Sequence, residues 1–155
     1  MASKNHAAYQ EPGGEVAAVN AVTGFVSRVN TAIKSIEPGI LLSAAVMPEC
    51  SQNAYHYGQD YTRLADYLDF FVPMAYEGNY NANDAWITSV TSYIVAQAKG
   101  KPVYSGLTTY WSDSNTRVLT SDELDADAQA AESGGADGFV LFRYGIGAYV
   151  PDWPA

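Results

Sequence analysis

Two glutamates stand directly after short apolar runs. Glu49 closes Leu42-Ser43-Ala44-Ala45-Val46-Met47-Pro48-Glu49, and Glu77 closes Asp69-Phe70-Phe71-Val72-Pro73-Met74-Ala75-Tyr76-Glu77. Two carboxyl groups facing one pocket can divide acid and base work. One, kept protonated, donates to a leaving oxygen, while the other, ionised, acts as nucleophile or base. Tyr110 and Trp111 follow a third run and offer flat faces that suit the apolar face of a sugar ring. Arg143 follows a fourth run, Phe139–Phe142, and can hold a carboxylate through paired N–H contacts. Each residue also has a purely structural reading. Either glutamate suits a loop carboxylate, paired with an arginine in the case of Glu49. Tyr76, Tyr110 and Trp111 suit core packing, and Arg143 suits a structural ion pair.

These residues can meet only if the runs before them lie side by side. A short, nearly unbroken apolar run bounded by polar residues reads as a strand covered on both faces, as in a parallel sheet. Between the runs, apolar residues recur in steps of three and four. Val16, Val19, Val22, Val26, Val29, Ile33 and Ile36 mark one helical face, which Glu37-Pro38-Gly39 stops. Ser51–Asp60 reads as a polar loop, and Tyr61–Tyr67 as a short helix with Leu64 and Leu68 inward. Gly78–Asn83 reads as a turn. Asp84 is placed to cap the next helix, which carries Ile87, Val90, Ile94 and Ala98 and ends at Lys99-Gly100. Thr108–Val118 reads as a loop. Thr120 and Glu123 have capping-box spacing ahead of a helix that uses Leu124, Ala128 and Ala131. The acids Asp122, Glu123, Asp125 and Asp127 read as a solvated first turn favoured by the helix dipole.

The predicted strands are 40–47, 70–75, 103–107 and 139–142, so their starts repeat every 30–36 residues or so, the size of one βα unit. Helix and strand alternate four times, which implies a parallel sheet with right-handed crossovers. Polar residues at the carboxyl ends of such strands sit where these sheets place ligands. Two α/β architectures satisfy the pattern: half of a (β/α) barrel, with helices on one face, or a small doubly wound flavodoxin-like domain. Residues 1–13 read as a loose leader, 14–147 as the folded unit and 148–155 as an irregular tail.

Several stretches resemble chitinase-like glycoside hydrolases. Met74-Ala75-Tyr76-Glu77, led by Asp69-Phe70-Phe71-Val72, resembles the Met-x-Tyr-Asp end of the sixth barrel strand in that family. Leu42–Glu49 resembles strand five. Lys101-Pro102-Val103-Tyr104-Ser105-Gly106-Leu107 with Tyr110 resembles strand seven, and Gly134–Phe142 strand eight. The Met47-Pro48-Glu49, Met74-Ala75-Tyr76 and Phe142-Arg143-Tyr144-Gly145 endings are similar to those of glycoside-hydrolase domains in microbial surface proteins. The resemblance covers residues 14–147 and implies the carboxyl-terminal half of a barrel, strands five to eight. It implies catalytic roles for Glu49, Glu77 and Tyr76, with Tyr76 donating a hydrogen bond near the reacting centre. It implies substrate contacts for Met74, Tyr110, Trp111, Arg143 and Tyr144. The family's strand-four D-x-x-D-x-D-x-E motif is absent, Glu77 replaces an aspartate, and Arg143 and Tyr144 follow Phe142 where the family often has tryptophan. Hydrolysis of a polysaccharide or glycan therefore requires a missing amino-terminal half. A half-barrel exposes apolar surface, so it should pair as a homodimer or with that half. A carbohydrate-binding or structural surface domain without catalysis is the competing reading.

The 155 residues suit one domain, and 48% hydrophobic residues suffice for a core. A formal charge of −9 lacks the basic footprint of a nucleic-acid binder. No run approaches the roughly 20 apolar residues of a membrane span. Cys50 is the only cysteine, so no internal disulfide forms. His6 and His56 lack ligand spacing, so neither a metal nor a cofactor is expected. The low charge and many Ser, Thr, Asn and Tyr residues suggest a secreted or cell-surface protein.

Overall fold

A computed structural model describes residues 12–143 and 145–146. The expected leader lies almost wholly outside the described residues, as do the tail and the substrate-contact candidate Tyr144.

The first described helix, α1 (Gly14–Ile36), leads into β1 (Ser43–Val46). A 3-10 turn (Cys50–Gln52) and two short helices, α2 (Asn53–Tyr57) and α3 (Tyr61–Leu64), precede β2 (Phe70–Pro73). Then come α4 (Glu77–Tyr80), α5 (Asp84–Gln97) and β3 (Tyr104–Thr108). A hairpin, β4 (Tyr110–Ser112) with β5 (Asn115–Val118), stands before α6 (Ser121–Ser133) and β6 (Gly138–Phe142).

The strands β1 and β2 pair in parallel, Ser43 opposite Phe70 and Val46 opposite Pro73. So do β3 and β6, Tyr104 opposite Gly138 and Thr108 opposite Phe142. Parallel bridges Phe71–Val103 and Met74–Gly106 join the pairs, giving the order β1-β2-β3-β6. Gly106 permits this approach, because a Cβ there would lie 2.8 Å from the Pro73 carbonyl oxygen.

Strand side chains alternate between faces. Ala44, Val46, Phe71 and Val103 pack with Val22 and Val26 of α1, Tyr61 and Leu64 of α3, and Ile94 of α5. Leu107 and Phe139 on the same face join Ile87 and Val90 of α5 with Ala130 and Ala131 of α6. Ser105 also points that way and shares a buried 2.8 Å hydrogen bond with Thr91 of α5. The opposite face carries Ala45, Phe70, Val72, Tyr104, Val140 and Phe142, none of which belongs to either apolar cluster. The described helices pack on one face of four parallel strands in chain order, whereas a doubly wound sheet covers both faces. The described strands do not close on themselves.

Local readings that changed have identifiable reasons. Val16 and Ile36, expected on the inward face of α1, lie near its two ends and are 69% and 83% exposed, while Ala18, Val19 and Thr23 between them are buried. Asn83, not Asp84, caps α5 by accepting from the Trp86 N–H at 3.2 Å; Asp84 is the first helical residue. The loop expected at Ser51–Asp60 contains α2, and the turn after Tyr76 contains α4. The Thr108–Val118 loop is a hairpin, held by pairing too short to show as alternation. The capping box at Thr120 and Glu123 forms as expected.

Candidate functional site at the carboxyl ends of the strands

All four parallel strands deliver their next residues to one rim. After β1, Tyr61 donates to the Met47 carbonyl at 2.5 Å and the Met47 N–H donates to Gln59 Oε1 at 2.9 Å. These bonds fix the turn that presents Glu49. Its carboxylate is half-buried and accepts a hydrogen bond from the Tyr80 hydroxyl at 2.9 Å. Burial and that bond push the Tyr80 phenol far above its ordinary pKa, and burial with the Glu49 charge also raises Tyr57. Glu49 thus lies between two neutral phenols, with Tyr80 stacked on Trp86 at 4.7 Å.

After β2, the Met74 N–H donates to the Val46 carbonyl at 2.9 Å, tying the two strand ends together. Tyr76 stacks on Phe142 at the end of β6, with centroids 5.5 Å apart and planes 13° apart. Burial and then the Asp113 charge raise its pKa, so the phenol stays protonated and can donate. Tyr110 donates to Asp113 at 2.8 Å and lies 6.5 Å from the Phe142 ring. Asn79 of α4 exchanges two hydrogen bonds with Asp113, at 2.9 and 2.8 Å. Gly78 lets α4 lie against the hairpin, since a Cβ there would be 1.8 Å from the Trp111 carbonyl oxygen. Arg143 is exposed, and its charge acts on the Tyr110 phenol. Trp111 is covered on one side by the Arg117 guanidinium, 5.7 Å from the ring centroid.

The structure therefore joins Tyr76, Tyr110, Phe142 and Arg143 in one neighbourhood and Glu49 with Tyr80 in another, α4 bridging the two. Glu77 lies elsewhere. Its carboxylate gathers with Asp84 and Asp127, one oxygen of each lying within 4.8 Å of the others. The acids that raise its pKa, after burial, are Asp84 and Glu123. Asp127, read from sequence as part of a solvated turn, is 3% exposed. Burial first, then Glu77, Asp84 and Glu123, push its pKa up to about 7. The sequence hid Tyr80 in a turn-like stretch and Asp127 in an acidic run. Helical spacing was the available signal for Asp127, because it lies three residues from both Leu124 and Ala130. A groove lined by Asp125, Gln129, Glu132, Asp137 and Phe139 opens near the amino-terminal end of β6, away from this rim.

No protein-family profile matches the chain. No curated protein matches it in sequence. Among solved structures, its fold is similar to the PgaB (BpsB) glycoside hydrolase domain from Bordetella bronchiseptica. The TM-score is 0.70 at 12% identity, over 83% of this chain and 38% of that one. It is also similar to the hyperthermostable endo-1,4-beta-D-mannanase from Thermotoga petrophila RKU-1, solved with maltose and glycerol. That TM-score is 0.55 at 17% identity, over 79% of this chain and 40% of that one. The chain has a glycoside-hydrolase-like fold and spans about two fifths of the length of these structures. No described helix is long and apolar enough to cross a membrane.

Proposed function

We propose that this chain is the carboxyl-terminal half of a (β/α) barrel, strands five to eight, that hydrolyses O-glycosidic bonds of an extracellular glycan once the other half completes it. One observation carries the reading: four parallel strands in chain order present Glu49, Tyr76, Tyr110 and Arg143 along a single rim. The uncovered face and the exposed Ile40 and Leu41 beside β1 supply apolar surface for that missing half or for a second copy. Glu49, held by the Tyr80 hydroxyl, serves as base or nucleophile. Tyr76 donates a hydrogen bond to the sugar, and Tyr110, Trp111 and Arg143 form its platform. Glu77, beside two other acids, is the weaker catalytic candidate. The proton donor comes from the other half.

The test compares a polypeptide that completes the barrel with its Glu49→Gln variant on a panel of polysaccharides. Turnover should fall by about 10²–10⁴-fold with the circular dichroism spectrum unchanged. Wild-type turnover in the variant removes Glu49 from the mechanism. Saturable glycan binding with no turnover in the completed protein would instead identify a carbohydrate-binding domain.

A further inference from the structure

We propose that Glu77, Asp84 and Asp127 form a calcium-binding site that locks α4 to α5 and α6. The inference stands apart from the catalytic reading. The residues come from three elements: the start of α4, the first turn of α5 and the second turn of α6. One carboxylate oxygen from each lies within 4.8 Å of the other two. Oxygens that share one Ca²⁺ at ~2.3–2.6 Å stand at most about 5 Å apart, so the three lie within the spread that one ion bridges after a small inward adjustment of the side chains. Magnesium, which binds at ~2.0–2.1 Å in a strict octahedron, would require contraction from the outer end of that range.

Two further observations point to a ligand rather than to a chance gathering of acids. Asp127 is 3% exposed, and among the described residues neither a hydrogen-bond donor nor a cation lowers its pKa. Glu77 Oε2 has no accessible surface and no hydrogen-bond partner. Buried carboxylate oxygens are costly unless a donor or cation meets them. Among the described residues, every charge that acts appreciably on Asp127 is negative, and no lysine or arginine answers it. Asp84 is exposed, so the cluster has a solvent side through which an ion could enter with water completing its coordination. All-oxygen carboxylate donors select a hard cation over zinc or copper.

The consequence reaches the rim. Glu77 directly follows Tyr76, and Tyr80, at the other end of α4, holds Glu49. An ion anchoring Glu77 would therefore order the helix between the two parts of the rim.

The experiment uses the chain stripped with chelator, titrated with CaCl2 by calorimetry and followed by thermal melting, with MgCl2 at equal ionic strength as control. One-to-one binding in the range of about 10⁻⁴–10⁻³ M is expected, with a rise in melting temperature that magnesium does not match. Asp127→Asn should weaken calcium binding by about tenfold or more, whereas Asp122→Asn, on the exposed turn of the same helix, should not. Terbium luminescence sensitised by Trp86, two residues after Asp84, gives a second readout at low protein concentration. No calcium or terbium binding up to about 10 mM, or equal binding in Asp127→Asn, overturns the site.

Discussion

Glu123 and Asp127 lie four residues apart on α6 and have opposite fates. Glu123 accepts from the Thr120 N–H at 2.8 Å and meets the Arg117 guanidinium through two nitrogens at 3.0 Å. These partners hold its pKa down at about 2. One helical turn later, Asp127 points between α4 and α5, where it meets only other acids. The difference lies in what faces each side chain, since both are carboxylates on the same helix. An acid at a helix start is stabilised by free N–H groups and nearby cations; the same acid turned inward loses water and gains nothing in return. Asp69 belongs with Glu123. It accepts from the Leu42 N–H at 2.7 Å and from Lys34 at 2.9 Å, and those bonds, the backbone one first, keep its pKa low.

Removing the charge at the unmatched position should have the largest effect. In chelator at pH 8, Asp127→Asn should raise unfolding stability by roughly 1–3 kcal/mol, because an uncompensated buried charge disappears. Chemical denaturation measures it, and a destabilised variant would show that Asp127 already has a partner. Asp69→Asn should act in the opposite sense, costing on the order of 1–2 kcal/mol at neutral pH once partial exposure is allowed for. Its pH dependence follows from the sign of the shift. The folded pKa lies below the unfolded one, so the stabilisation is present above the ordinary carboxylate range. It is lost as pH falls through that range to the folded value. Acid titration of the variant should lack that component, and superimposable curves for variant and wild type would remove Asp69 from the acid transition. Glu123→Gln should show the smallest change, since glutamine retains the capping-box geometry and loses only an exposed ion pair. The two proteins should melt nearly together at neutral pH. Wild type should lose its slight advantage as pH drops from about 4.5 towards 2. A large loss at pH 7 would mean that the pair carries more of the α6 start than its exposure suggests.

Much of the fold could be read directly. The step of three and four in α1 and α5, the glycine after Lys99, the capping box at Thr120 and the four apolar runs all correspond to observed elements. Each is a local pattern, set by backbone propensity and by which faces must leave water. The hairpin at Tyr110–Val118 and the short α4 escaped because a few residues carry no period. They hold instead through Gly78 against Trp111 and Asn79 against Asp113, contacts between segments over thirty residues apart.

The candidate site divides in the same way. Residue order alone determined that Glu49, Tyr76, Tyr110 and Arg143 each follow an apolar run. Parallel pairing then carries all four to one end of the sheet, because parallel strands run in one direction. Only the tertiary structure decided which side chains meet there. Tyr80 reaches Glu49 because α4 folds back over the rim, and Tyr76 finds Phe142 because β6 pairs with β3. Glu77, one residue after Tyr76, turns instead towards Asp84 and Asp127. Its surroundings come from residues 7 and 50 positions later in the chain, brought near by helix packing against the sheet. No local pattern encodes that meeting, since it depends on where three separate helices come to lie.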